Sequence, residues 1–244
     1  MIKTLSLVIK KQNLGEADRL ITILTPGMGK KRVLAVSSRR STSRLAGHLD
    51  TLMLSEIMLT RSNGLPRVVA ANLKDPFINI RASYELIDKA LGLTKLVERI
   101  VIEDVEQEAI FASTVTALRH LDRGDDWAKV WLYFLSQLTD ALGVGISRFR
   151  CHLCQRRVTE QARWVPHERW FVCGHCQVSP SILFVEASPK LIKLLMILRS
   201  ESYEFLRKIR LDEPVTLKTE EIFLREITNW LNRPWSDYAS LARG

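Results

Sequence analysis

The four cysteines of this chain fall into two CxxC pairs, Cys151 with Cys154 and Cys173 with Cys176. Eighteen residues separate the inner members, the spacing of a zinc ribbon. Zn²⁺ takes four tetrahedral thiolate or imidazole ligands, and two short knuckles joined by a hairpin supply them without straining either turn. No cysteine is left over. The expected chemistry is one structural zinc in a filled coordination sphere. His152 and His175 sit inside the knuckles and are expected to remain outside that sphere, so no position stays open for a catalytic water. Redox work at the cysteines is disfavoured, because a thioredoxin-like motif uses one pair between a strand and a helix. Two disulfides would need an oxidising compartment. Leu5 to Ile9, broken by Ser6 and followed by Lys10 and Lys11, is too short for a signal-peptide core. No run approaches the roughly 18 apolar residues of a membrane span. The chain therefore reads as cytosolic and soluble, with reduced thiols.

Other constellations fail on spacing. Thr25-Pro26-Gly27-Met28-Gly29-Lys30-Lys31 superficially suggests a phosphate loop. A Walker loop needs glycine where Leu24 stands and Ser or Thr where Lys31 stands, and Arg32 occupies the third glycine of a dinucleotide fingerprint. The five histidines suggest no His–carboxylate pairing. No catalytic residue is expected, and no small-molecule substrate.

Charge carries the functional signal. The 244 residues hold a net +9, and residues 1–75 contain thirteen basic residues against five acidic ones. A concentrated basic patch attracts polyanions, of which nucleic acid is the commonest in a cytosol. Lys30, Lys31 and Arg32 enter a predicted strand, and Ser37-Ser38-Arg39-Arg40-Ser41-Thr42-Ser43-Arg44 follows it. Guanidinium forks and hydroxyls are the usual phosphate donors. Residues 1–76 contain no Phe, Tyr or Trp. Aromatic platforms for unpaired bases are thus missing, and binding should rest on backbone phosphates, with weak sequence preference and steep salt dependence.

The elements that would carry these groups change type near Asp75-Pro76. Before it lie five short strand-like runs: Leu5 to Ile9, Leu20 to Leu24, Val33 to Val36, Leu52 to Thr60 and Pro66 to Ala71. The apolar phase slips around Ser55 and Glu56, which predicts a bulge. Such a run fits a small closed barrel, the OB-fold, or an SH3-like barrel of similar pattern. After it come helical patterns over 79–101 and 107–121, a Trp127-to-Leu142 stripe opened by Asp125 and Asp126, a Leu191-to-Ile209 stripe opened by Ser188-Pro189, and a third marked by Phe223, Ile227, Trp230 and Leu231. The expected class is α+β: an N-terminal barrel over 1–76, helices over 77–148, a zinc ribbon over 149–180 and a helical return over 181–244.

Leu14-Gly15-Glu16-Ala17-Asp18-Arg19-Leu20-Ile21-Thr22-Ile23-Leu24-Thr25, then Gly29-Lys30, Ser43-Arg44-Leu45-Ala46-Gly47-His48-Leu49 and Gly64-Leu65-Pro66, resemble the N-terminal signature of the RecO family of bacterial DNA repair proteins. Ala141-Leu142-Gly143-Val144 leading into Cys151-His152-Leu153-Cys154 resembles that family's passage into its zinc ribbon. The resemblance implies an OB-fold, a helical domain and a recombination mediator with no chemical step. It further implies binding of single- and double-stranded DNA, annealing, action with RecR to load RecA, contact with the acidic tail of single-stranded-DNA-binding protein (SSB), and a cytoplasmic, nucleoid-associated location. Ser37-Ser38 stands where the family usually has Lys-Gly, so Arg39 and Arg40 must cover a phosphate contact. The expected DNA-contacting set is Lys10, Lys11, Arg19, Lys30, Lys31, Arg32, Arg39, Arg40, Arg44, Arg61 and Arg67. Glu16, Asp18 and Arg19 also read as a structural charge cluster. For the SSB tail, Arg119, Arg123 and Lys129 flank the Trp127 and Trp131 stripe, although ordinary helix-surface charge explains them equally well. The same basic barrel and ribbon would also serve an RNA-binding, ribosome-associated factor.

Overall fold

A computed structural model describes residues 1–43, 45–60, 64–166, 168–179 and 181–232. The chain divides into two compact units, Met1–Gly124 and a second beginning at Asp125. In the first, strands β1 (Ile2–Leu14), β2 (Asp18–Thr25), β3 (Gly29–Ala35), β4 (Leu54–Leu59) and β5 (Val68–Asp75) form one sheet in the order β3-β2-β1-β4-β5. Neighbours are antiparallel, with Leu7 opposite both Leu24 and Leu54. A 3₁₀ turn over Ala46–His48 lies between β3 and β4.

The strand order is OB-like, but the expected closed barrel is not formed. Edge strands β3 and β5 meet at a parallel bridge between Leu34 and Arg67, where the Leu34 N–H donates to the Pro66 carbonyl at 2.8 Å. Extending a parallel ladder from this bridge would need an N–H at Pro66 to donate to the Arg32 carbonyl, and proline has none. Val8, Ile21, Ile23, Val33, Leu49, Ile57, Leu59 and Val68 form the buried cluster on the concave side. Val8 holds this place rather than its neighbours Leu7 and Ile9, although Ser6 to Ile9 are all buried. Side chains alternate across a strand, so Leu7 faces the other side, where the helix over Tyr84–Ile100 packs on β1. The predicted bulge is present: the β4–β5 register shifts between Leu54 and Ser55, and both residues are buried.

Three helices complete this unit, α1 (Ile78–Arg81), α2 (Tyr84–Ile100) and α3 (Glu108–Asp122). Ser83 caps α2 by accepting from the Leu86 N–H, and Asp122 accepts from the Ile80 N–H at 2.9 Å, tying α3 to α1. The 101–107 link between α2 and α3 crosses the β2–β3 turn. Gly29 sits there at φ +56°, and a Cβ on it would lie 2.1 Å from the Val105 carbonyl oxygen.

The second unit begins with α4 (Trp127–Ala141), capped by Asp126 as the sequence predicts. Strands β6 (Ala162–Val165), β7 (Trp170–Cys173) and β8 (Val185–Ala187) form a small sheet in the order β7-β6-β8. Then follow α5 (Pro189–Ser200), α6 (Tyr203–Arg207) and α7 (Glu213–Leu231). The sequence stripe from Leu191 to Ile209 predicts one helix; the chain makes two. Ser202 adopts an extended conformation and accepts from the Phe205 N–H, which restarts the helix on a new cap and leaves Phe205 45% exposed. Helix α7 packs on α4 and α5, around Trp131, Phe134, Leu135, Leu195 and Phe223. Among the described residues no helix is long and apolar enough to cross a membrane.

Candidate nucleic-acid interface and metal centre

The first strand connection is held by the residues that the sequence marks as charged. Asp18 accepts from the Ser37 N–H at 2.7 Å, the Arg39 N–H donates to the Ala17 carbonyl, and the Arg39 guanidinium donates to the Gly15 carbonyl at 2.7 Å. Gly15 takes φ +59°, which a side chain would resist. Arg39 thus welds the β1–β2 turn to the exit of β3. Arg19 is half-buried, and its Nε is hidden from solvent with no partner among the described residues.

Much of the remaining basic set meets carboxylates of the same unit. Lys10 pairs with Glu98 at 3.0 Å, Lys11 with Asp50, Lys31 with Asp104 and Arg32 with Glu103 at 3.4 Å, while Lys30 donates to the Glu98 carbonyl at 2.8 Å. Burial pushes the Asp50 carboxyl up, but the Lys11 ammonium and the Thr51 N–H outweigh it and hold it below the usual range. Arg40 and Arg67 differ: both are exposed, and neither guanidinium has a partner among the described residues. Arg44 and Arg61 lie outside the described residues. Solvent-exposed ion pairs of this kind hold about 0–1 kcal/mol each, so a polyanion can compete for these cations.

The partner-site candidates take ordinary places. Arg119 lies on α3 and pairs with Asp75 at 3.4 Å; Arg123 is exposed at the end of α3. Lys129 belongs to the second unit and donates to the Arg207 carbonyl at 2.8 Å. Trp131 is 4% exposed and gives its indole N–H to buried Glu220, so this stripe is core. An apolar groove exists elsewhere in that unit. Leu194, Ile197, Phe205 and Ile209 line a cleft of about 800 Å³ with Lys190, Lys193 and Arg210 at its rim. Its only sequence signal is the break at Glu201-Ser202, which turns Phe205 outward.

The two knuckles do converge. All four cysteine Sγ atoms lie within 4.8 Å of one another, and those of Cys154 and Cys173 are 3.7 Å apart. Four thiolates around zinc at about 2.3 Å stand about 3.8 Å apart along each tetrahedral edge, whereas a disulfide would need about 2.05 Å. The donors fit a closed S₄ centre. The β6–β7 hairpin makes the convergence possible, since Ala162 pairs with Cys173 and Cys151 bridges to Phe171. Burial raises the Cys151 thiol, but N–H groups of Cys173, Cys154 and Leu153 bring it down to about 6. Cys176 is pushed up to about 12 by hydrogen bonds with the Cys173 and Cys154 thiols. Four crowded thiols resist ionising together unless a cation shares their charge. Among the described residues no other group of cysteine, histidine and carboxylate side chains meets as a candidate metal site.

The family model described as "Recombination protein O N terminal" matches residues 1–77, and that described as "Recombination protein O C terminal" matches residues 89–235. A DNA repair protein RecO from Roseiflexus sp. (strain RS-1) is 31% identical over 95% of this chain and 81% of its own length. Proteins of the same name from Dehalococcoides mccartyi (strain BAV1) and Caldicellulosiruptor bescii are 25% and 23% identical, over 89% and 92% of this chain and 86% and 91% of theirs.

Proposed function

Because the chain belongs to the recombination protein O family, we propose that it serves DNA repair and recombination as a nonenzymatic mediator. In this reading the sheet of the first unit binds the phosphates of single- and double-stranded DNA. Neutralising two strands at once lowers their repulsion, so complementary sequences can nucleate pairing. The observation that carries the reading is the basic surface around β3. Lys31 and Arg32 lie on β3, Arg39 and Arg40 follow its exit, and exposed Arg67 stands opposite Leu34 of the same strand, in a segment without an aromatic ring for base stacking.

Zinc is the metal that suits four convergent thiolates. Cys151, Cys154, Cys173 and Cys176 would hold it, and its contribution there is structural: it fixes the ribbon. Within the same reading the chain acts with RecR in the bacterial cytoplasm to load RecA onto SSB-coated strands. The acidic, apolar-ended SSB tail suits the groove at Phe205 better than the Trp127–Trp131 stripe, because the groove is open and Lys193 and Arg210 stand at its rim.

Annealing of complementary strands without nucleotide, followed as salt is raised, tests the central claim. Arg40→Ala with Arg67→Ala is the informative pair, since neither guanidinium has a partner among the described residues. Loss of annealing and of affinity for both DNA forms is expected. Unchanged affinity would end the reading, and tighter binding of RNA than of single-stranded DNA would favour the ribosome-associated alternative.

A further inference from the structure

The ribbon carries a second concentration of positive charge. Between residues 147 and 170 stand Arg148, Arg150, Arg156, Arg157, Arg163 and Arg169, against Glu160 and Glu168. A zinc with four thiolates sums to −2, so this segment stays positive with its metal bound. Arg148, Arg150, Arg157 and Arg169 line one cleft of about 560 Å³, together with His152 and Trp170. Arg150 and Arg157 are cross-strand partners in an isolated antiparallel bridge, which sets them side by side. Arg150 braces itself on the Gln155 carbonyl and Arg169 on the Gly143 carbonyl. Arg148 and Arg157 are exposed, with no side-chain partner among the described residues.

The cleft also has what the N-terminal sheet lacks. His152 is exposed and stacks on Trp170, ring centroids 3.5 Å apart and planes inclined by 29°. The Trp170 indole N–H is hidden from solvent and has no acceptor among the described residues. A flat ring flanked by guanidinium groups matches a nucleotide: the base extends the stack and the phosphates on either side take the arginines. Paired bases already stack within their helix and keep their faces covered, so this chemistry selects an unpaired strand.

We propose that the His152–Trp170 stack and its surrounding arginines form a second DNA site, which grips unpaired bases of single-stranded DNA. It rests on the reading that the chain binds DNA, and divides the work: the sheet holds phosphates of either form, and the ribbon supplies preference for the single strand.

The test uses the full-length zinc-loaded chain, a short oligothymidylate and a duplex of the same length. His152→Ala should weaken oligothymidylate binding roughly tenfold and leave duplex affinity within about twofold, and His152→Phe, which keeps a flat ring, should restore it. Arg148→Ala with Arg157→Ala should lower the single-strand salt slope by about 1.4. Zinc content equal to the parent's reports an intact ribbon, and where His152→Ala loses zinc the arginine pair carries the test. Equal effects on both DNA forms, or none, would overturn the proposal, as would variants that bind DNA normally but lose an acidic, apolar-ended peptide. Failure of the sheet reading looks different: Arg40→Ala with Arg67→Ala would leave duplex affinity intact while the ribbon variants still lost the single strand.

Discussion

The indole N–H of Trp164 donates to the carboxyl of Glu226 at 3.2 Å, and both side chains are sealed from solvent. Trp164 lies on β6 and Glu226 on α7, so one bond anchors the small sheet to the helices of the second unit. Burial pushes Glu226 up to about 8, against lowering by Trp164 and by the nearby Arg169 charge. The folded chain therefore keeps a proton that the unfolded chain sheds near pH 4.5. Stability from this group is complete below about pH 4.5, falls as pH rises towards 8, and is level above it. Glu226→Gln still accepts from Trp164 but cannot ionise. Its melting temperature should match the parent's near pH 4 and exceed it near pH 8.5. A stability difference that does not change between acid and alkaline pH would mean that the native carboxyl is already charged. Glu220, also raised by burial, keeps a residual slope in both proteins.

Gly29 has no room for a side chain. Its φ of +56° and the Val105 carbonyl oxygen 2.1 Å from an added Cβ both exclude a side chain. Gly29→Ala should cost about 2 kcal/mol or more in urea unfolding, from left-handed strain plus displacement of the 101–107 link. Glu103 and Asp104 ride on that link and pair with Arg32 and Lys31, so the same variant should loosen those cations. An unchanged unfolding midpoint would show that the link moves aside freely.

What the sequence carried legibly was local and periodic. Ser188-Pro189 and Asp126 open helices where predicted, and the phase slip at Ser55 is a bulge, because caps and side-chain alternation are settled by near neighbours. The CxxC spacing brought its four thiols together. Long-range partners were not legible. The carboxylates facing Lys10, Lys31 and Arg32 lie some 70 to 90 residues away, at Glu98, Asp104 and Glu103, so a charge count overstated the free positive surface. Closure of the sheet depended on which residue would face Leu34, and that residue, Arg67, falls just before β5 and beside Pro66. Phe205 reads as core because a helical stripe is blind to the restart at Ser202.

Chelation separates the two units. If one zinc holds Cys151, Cys154, Cys173 and Cys176, stripping it leaves four crowded thiols beneath β6 and β7 and releases the Trp164 anchor. Two thermal transitions are then expected, the lower one moving with zinc and the upper one, from the sheet unit, staying fixed. Cys154→Ser should reproduce the shift without chelator, with metal content falling from about one per chain towards zero. Simultaneous collapse of both transitions would show that the units do not melt independently.

Phe205 is 45% exposed above Leu194 and Ile209, an arrangement that leaves a large ring half in water unless something covers it. Lys193 and Arg210 stand exposed at the rim, whereas Lys190 is held by Asp212 at 3.0 Å. A peptide ending in an apolar side chain and a free carboxylate would fill the cleft and meet those two cations. Binding of such a peptide, followed by fluorescence anisotropy, should weaken roughly tenfold or more with Phe205→Ala, since a buried aromatic anchor dominates small interfaces. Lys193→Glu should weaken it further and make the residual binding less sensitive to salt, while Arg119→Ala should leave it unchanged. The reverse pattern, loss with Arg119→Ala and none with Phe205→Ala, would return the peptide to α3.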